Sequence, residues 1–181
     1  MEDGKLSKTK IRFVVELLEV IVPALILFWV LHTFVIEICK IPTPSMVPTI
    51  QVGDRVIVDK FYFKYFDSIR IGDIIVFRPP PEAHSSENFI KRVVGLPGDK
   101  VEIKNHITYV NDKPLDEPYI TDRSKNNFGP IVIPQNDVFV MGDNRNSSND
   151  SRVWGFLPMK NITGRTLIRC WPLKRFGTLT L

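Results

Sequence analysis

From Val20 to Ile36 the chain reads VIVPALILFWVLHTFVI, seventeen residues with no formal charge at neutral pH beyond a titratable His32. No other feature constrains the fold so tightly, because a run of that length must leave water as one piece. Extended back through Phe13, Val14, Val15, Leu17 and Leu18 it becomes a segment 13–36, with Glu16 and Glu19 near the headgroups. Pro23 removes one backbone hydrogen bond near its start. Such a run is a buried core helix, a cleaved signal peptide or a membrane span. Cleavage needs a small-x-small site just beyond the apolar stretch, and HTFVIEICK has none, so the reading is an uncleaved anchor. Lys5, Lys8, Lys10 and Arg12 precede the span, while only Lys40 and Arg55 follow within about twenty residues. That asymmetry predicts a cytoplasmic tail at 1–12 and a domain at 37–181 outside the cytosol.

Residues 37–181 suit one modest domain. The net charge of +4 is spread among acidic residues rather than banked in a stripe, which argues against nucleic acid and makes anionic lipid the expected neighbour. Cys39 and Cys170 are too few for a disulfide framework or a zinc site and read as small apolar fillers. RVIVDK (55–60), DIIVF (73–77), NFIKRVVG (88–95), KVEI (100–103), HITYV (106–110), VFVM (138–141) and TLIRC (166–170) are rich in β-branched or aromatic residues. Turn signals at Gly53-Asp54, Gly72-Asp73, Pro97-Gly98-Asp99 and Asn111-Asp112 separate them. No helical period runs through residues 50–181, so the expected domain is mainly β, an antiparallel sheet of barrel-like form. Residues 78–88 and 122–129 read as loops, and the stretch from 103 to 136 as an accessory hairpin region.

The histidines limit the chemistry. His32 lies in the anchor, and His84 and His106 carry no partnering signature, which argues against a Ser-His-Asp triad. No metal-ligand spacing and no glycine-rich phosphate loop is present, so no metal or cofactor is expected. A serine activated by lysine remains. Ser45 by itself reads as a turn residue, but Pro42, Pro44 and Pro48 stiffen the backbone around it and would hold an attacking oxygen in place. In an extended strand Phe89, Lys91 and Val93 share one face and Ile90, Arg92 and Val94 the other. Lys91 therefore has apolar neighbours that would lower its pKa, whereas at the ordinary value of about 10.4 only about one lysine in several thousand is neutral at pH 7. The alternative is a lysine that snorkels to solvent from a sheet edge.

Taken together, PSMVPT at 44–49, GD at 72–73, KRVVGLPGD at 91–99 and GDNRNSSNDSR at 142–152 resemble, in order and approximate spacing, the sequence boxes of type I signal peptidases. The anchor just upstream of the serine is similar to theirs as well. The resemblance implies a membrane-anchored serine endopeptidase that removes N-terminal signal peptides from exported preproteins. It implies Ser45 as nucleophile and Lys91 as general base, with the Ser45 amide and the Thr43 hydroxyl donating to the oxyanion. Ser148 would orient the lysine amine, and Asp150 and Arg152 would form an ion pair, with Arg92 as a second partner. Substrate residues with small side chains at −1 and −3 would meet Ile41, Met46, Ile50, Phe89 and Ile90. One departure stands out: Pro44 occupies a position where many relatives have glycine, which removes one amide donor but leaves that of Ser45.

Ser45 follows Ile36 by nine residues, at most about 30 Å of extended chain, so an anchored nucleophile stays near the bilayer. Single-span enzymes of this type occur in bacterial plasma membranes and in organelles, and the bacterial setting is the expectation. Two other classes compete. A self-cleaving serine-lysine repressor would carry a helical DNA-binding domain and no anchor. An inactive membrane-anchored β module would bind exported proteins without an intact dyad.

Overall fold

The computed structural model describes residues 3–30, 35–61 and 68–179. It divides into two compact units, Met1–Ile36 and Glu37–Leu181. The first is built on helix α1 (Asp3–Val30), 28 residues that remain helical through Pro23. Its large apolar side chains from Phe13 to Trp29 are exposed. Among the described residues no helix is long and apolar enough to cross a membrane. Arg12, Glu16 and Glu19 interrupt the described side chains; residues 31–34 of the expected 13–36 span, His32 among them, lie outside the described set, and Ile36 at its end already belongs to a strand.

The second unit is mainly β, as its alternating and β-branched segments predict. Eight strands form one sheet: β1 (Ile36–Lys40), β2 (Arg55–Asp59), β3 (Ile74–Phe77), β4 (Phe89–Gly95), β9 (Asp137–Met141), β10 (Leu157–Pro158), β11 (Ile162–Trp171) and β12 (Gly177–Thr178). Their order is β1-β2-β11-β3-β4-β9-β10, with β12 added beside β11. The β2–β11, β11–β3, β3–β4 and β4–β9 ladders are antiparallel, and register shifts along β11 and between Val93 and Gly95 bend the sheet. Four more strands, β5 (Lys100–Lys104), β6 (Ile107–Val110), β7 (Lys113–Pro114) and β8 (Phe128–Val132), make a second sheet in the order β7-β6-β5-β8.

That second sheet occupies the expected accessory hairpin region: it begins at Lys100, and its last strand, Phe128–Val132, starts inside the segment 122–129 that reads as loop. Paired left-handed residues Asn105-His106 and Asn111-Asp112 turn β5 into β6 and β6 into β7, a geometry that asparagine tolerates better than most side chains. A short helix α2 (Ser151–Trp154) is a further departure, started by the Asp150 carboxylate accepting the Arg152 N–H. Ile41, Met46, Ile50, Val56, Ile74 and Ile90 join one core cluster beneath the serine. Trp154 belongs to another, beside Phe77 at 6.0 Å, whereas Trp171 is exposed. Cys39 packs partly against the first cluster and Cys170 donates to the Arg55 carbonyl at 3.3 Å; both are free thiols.

Candidate active site

The segment that carries Ser45 is a single 3-10 turn, Pro44–Met46, entered from an extended Thr43. Proline at its first position has the fixed φ that such a turn requires. The turn directs Met46 into the core and leaves Ser45 at the wall of a cleft of about 210 Å³. Its carbonyl oxygen accepts the Asn144 N–H at 3.0 Å, and the Asn144 side-chain amide donates to the Pro44 carbonyl at 3.3 Å. The loop 142–150 thus holds the serine segment from below. Gly142 makes that contact possible, since a Cβ there would overlap both Ser148 Oγ and the Ser45 carbonyl oxygen.

Lys91 approaches from β4. It is 4% exposed, and its Nζ donates to Ser45 Oγ at 2.8 Å and to the Ile90 carbonyl at 3.0 Å. The Phe89 ring lies 5.1 Å from the same nitrogen. Burial lowers the Lys91 pKa to about 8, with Asp150 and Asp143 pulling the other way. Strand alternation thus has the predicted effect: an apolar face removes water from the ammonium, and neither of its close polar contacts is a carboxylate. Thr43 Oγ1 stands 3.5 Å from Ser45 Oγ.

Arg92, the next residue on β4, faces the opposite way and is 1% exposed. Its guanidinium grips Asp143 through two bonds of 2.8 and 2.7 Å, donates to the Gly72 carbonyl at 2.7 Å and lies over the Tyr119 ring at 3.8 Å. This corrects the expectation that Arg92 joins Asp150 and Arg152: its carboxylate partner is Asp143. The Gly72-Asp73 box acquires a reason, because Gly72 presents its carbonyl from a left-handed turn.

Asp150 and Arg152 do pair, with contacts of 2.8 Å from each of Nε and Nη2. The buried carboxylate also accepts the Gly142 N–H at 3.0 Å, so the pair shapes the loop that holds Ser45. Ser148 does not orient the lysine here; its Oγ is buried without a hydrogen-bond partner, and the Ile90 carbonyl makes the second bond to Lys91 Nζ. Of the expected substrate contacts, Phe89 and Ile90 line the cleft with Pro42, Thr43 and Pro44, whereas Ile41, Met46 and Ile50 are fully buried core beneath it. Neither His84 nor His106 lines the cleft, and the His106 ring is bonded to the Ser124 carbonyl at 2.7 Å.

Several contributors escape sequence reasoning. Arg145 is buried, donates to the Gly142 carbonyl at 3.1 Å and forms an ion pair with Glu117 from the segment after β7. Glu117 ties the segment after β7 to the serine-supporting loop, and Tyr119 lies against Arg92 of β4; only three-dimensional proximity reveals either contact. Glu87 and Asn88 also line the cleft.

The sequence is similar to known proteins. The sequence model described as signal peptidase, peptidase S26, matches residues 14–171. The chain belongs to that family. It is 44% identical over 173 residues to the probable signal peptidase I-1 of Synechocystis, covering 93% of this chain and 88% of the relative. It is also 44% identical over 155 residues to the signal peptidase I of Leptolyngbya laminosa, covering 82% and 75%. Thylakoidal processing peptidase 1 of Arabidopsis thaliana is 39% identical over 141 residues, covering 74% of this chain and 41% of the relative. This type I signal peptidase is therefore a peptidase, a hydrolase of peptide bonds, built on a mainly β unit.

Proposed function

We propose that the protein removes signal peptides from exported preproteins by a serine-lysine dyad, Ser45 as nucleophile and Lys91 as general base. The 2.8 Å contact between a buried, unsalted lysine amine and the serine hydroxyl carries this reading. In the working form Lys91 is neutral, and the Ser45 O–H donates to Nζ. Oγ attacks the carbonyl carbon of the residue before the cut as its proton passes to Nζ. The Ser45 backbone N–H and the Thr43 hydroxyl stabilise the resulting oxyanion. Collapse breaks the C–N bond, and the lysine ammonium returns its proton to the departing amine. A water then attacks the acyl-serine, with Lys91 taking its proton, and collapse breaks the acyl carbon–Oγ bond as the lysine ammonium returns that proton to Ser45 Oγ. Asp150 and Arg152 support the loop behind the dyad, and neither metal nor cofactor takes part.

The preprotein lies extended along the cleft, where Pro42, Pro44, Phe89 and Ile90 leave room for small side chains at −1 and −3. Residues 13–36 anchor the enzyme, tail 1–12 is cytoplasmic, and 37–181 is the catalytic domain on the far side of a bacterial plasma membrane or an organellar one. The exposed apolar side chains of α1 and the cationic flank before them support this topology. Lipid is then the protein's permanent neighbour.

A model preprotein incubated with the purified full chain in detergent tests the dyad. Ser45→Ala and Lys91→Ala are each expected to abolish processing in a folded protein, and near-normal turnover by either would refute the assignment. Deleting residues 1–36 is expected to move the protein from the membrane pellet to the carbonate-soluble fraction.

A further inference from the structure

Two residues lining the cleft carry formal charge, Lys91 and Glu87. A base must be neutral to act, so in the working enzyme Glu87 supplies the only formal charge among the described residues of the cleft wall. The Glu87 N–H donates to Ser85 Oγ at 3.2 Å, just before β4 begins, and the residue is exposed. Among the described residues no cation forms a salt bridge with its carboxylate.

Position along the chain indicates what this carboxylate meets. Phe89 and Ile90 lie between Lys91 and Glu87, and the proposed substrate path seats residues −1 and −3 beside them. Glu87 lies in a bend two residues before β4 and four before Lys91, at most roughly 13 Å of chain away. The proposed substrate strand runs parallel to this segment, so the residue beside Glu87 is up to about four before the one whose carbonyl is attacked, position −5 with −4 adjoining.

We propose that Glu87 reads charge in the preprotein, favouring a basic side chain at −5 or −4 and disfavouring an acidic one. This rests on the dyad reading above, which sets where the cut lies. A rim carboxylate attracts a cation weakly, as exposed ion pairs do, so a lysine there raises kcat/KM about threefold over alanine and a glutamate lowers it by a similar factor. The preference acts mostly through KM, because the charge is equally near in ground and transition states. It fades as salt screens the pair.

The experiment compares three preprotein peptides that differ only in lysine, alanine or glutamate at −5, repeated at −4, with the full chain in neutral detergent at low and high salt. The expected lysine-to-glutamate ratio is about tenfold at low salt, shrinking at high salt, and Glu87→Gln brings it close to one. A ratio near one for the wild-type enzyme, or a ratio that Glu87→Gln leaves intact, would overturn the proposal. So would a shift of the pH–rate profile by Glu87→Gln that is the same for all three peptides, since that marks an action through Lys91. Cleavage that survives Ser45→Ala would instead remove the dyad reading and this inference with it.

Discussion

Lys91 and Arg92 are neighbours on β4, both cationic by type, both almost wholly buried, and they face opposite sides of the strand. Arg92 meets two carboxylate oxygens, a carbonyl and an aromatic ring, so its charge is matched and its geometry fixed. Lys91 meets one hydroxyl and one carbonyl, and burial pushes its pKa down to about 8. The same desolvation acts on both, and what differs is compensation. A fully paired buried cation is a strut, while an under-paired one is held part of the way towards its neutral form and is ready to take a proton.

The sharpest way to break this contrast is to make the two positions alike. Lys91→Arg keeps a cation and roughly the reach but cannot release its proton at accessible pH. Processing measured as kcat/KM is expected to fall on the order of a thousandfold or more, and an active Lys91→Arg enzyme would end the general-base assignment.

Next in size is the strut. Arg92→Leu leaves the Asp143 carboxylate buried without its partner, and urea unfolding of the detergent-solubilised protein is expected to show a loss of about 3–5 kcal/mol. Arg92→Leu combined with Asp143→Leu restores part of it, because no lone charge remains. Equal stabilities for single and double variants would show that the pair does not act as a unit.

Removing the under-paired cation works in the other direction. The folded protein holds the Lys91 pKa near 8, against 10.5 for a solvated side chain, a difference of about 3 kcal/mol. Between those values the unfolded chain binds more protons than the folded one, so stability rises with pH across the window. Below about 8 both states are protonated and the whole penalty applies. Lys91→Met is therefore expected to be inactive yet more stable than the wild type at pH 6 to 7, by up to about 3 kcal/mol, with the gap closing as pH rises from about 8 to 10.5. A variant less stable than wild type near neutral pH would contradict the strain assigned to Lys91.

The smallest effect is on the pH–rate profile. The wild-type kcat/KM is expected to climb along a limb centred near 8, reporting Lys91 in the free enzyme. The Asp150 carboxylate raises that pKa, so Asp150→Asn should move the limb to lower pH in whatever activity remains. His84→Ala and His106→Ala should leave it in place.

Much of this contrast is legible in one dimension. The alternation Phe89-Ile90-Lys91-Arg92-Val93-Val94 announces a strand with two buried faces, and a lysine among apolar neighbours announces a depressed pKa. The partner of Arg92 is not legible, because Asp143 and Asp150 stand in the same polar box and only the turn of that loop decides which one reaches across. The second sheet is half-visible: β5 and β6 carry β-branched residues around an asparagine turn, but β8 contains Gly129 and Pro130, begins inside the segment 122–129 that reads as loop, and is a strand through its pairing with β5. The family resemblance marks Met46, Ile50 and Ile41 as cleft residues, yet the 3-10 turn directs Met46 into the core, where Ile41 and Ile50 also pack.

The sequence by itself determined the family boxes, the β-rich domain, the apolar run at 20–36 and the two residues whose types suit serine-lysine chemistry, since each depends on local pattern or on short-range order along the chain. Tertiary structure alone decided the contact of Lys91 with Ser45 across 46 positions, the union of Arg92 with Asp143 across 51, and the hold of Glu117 on Arg145 from the second sheet's connections. Those contacts depend on how strands order and loops close. The free energy of that arrangement is shared among many weak packing terms spread over the whole chain, so no short stretch of sequence contains it.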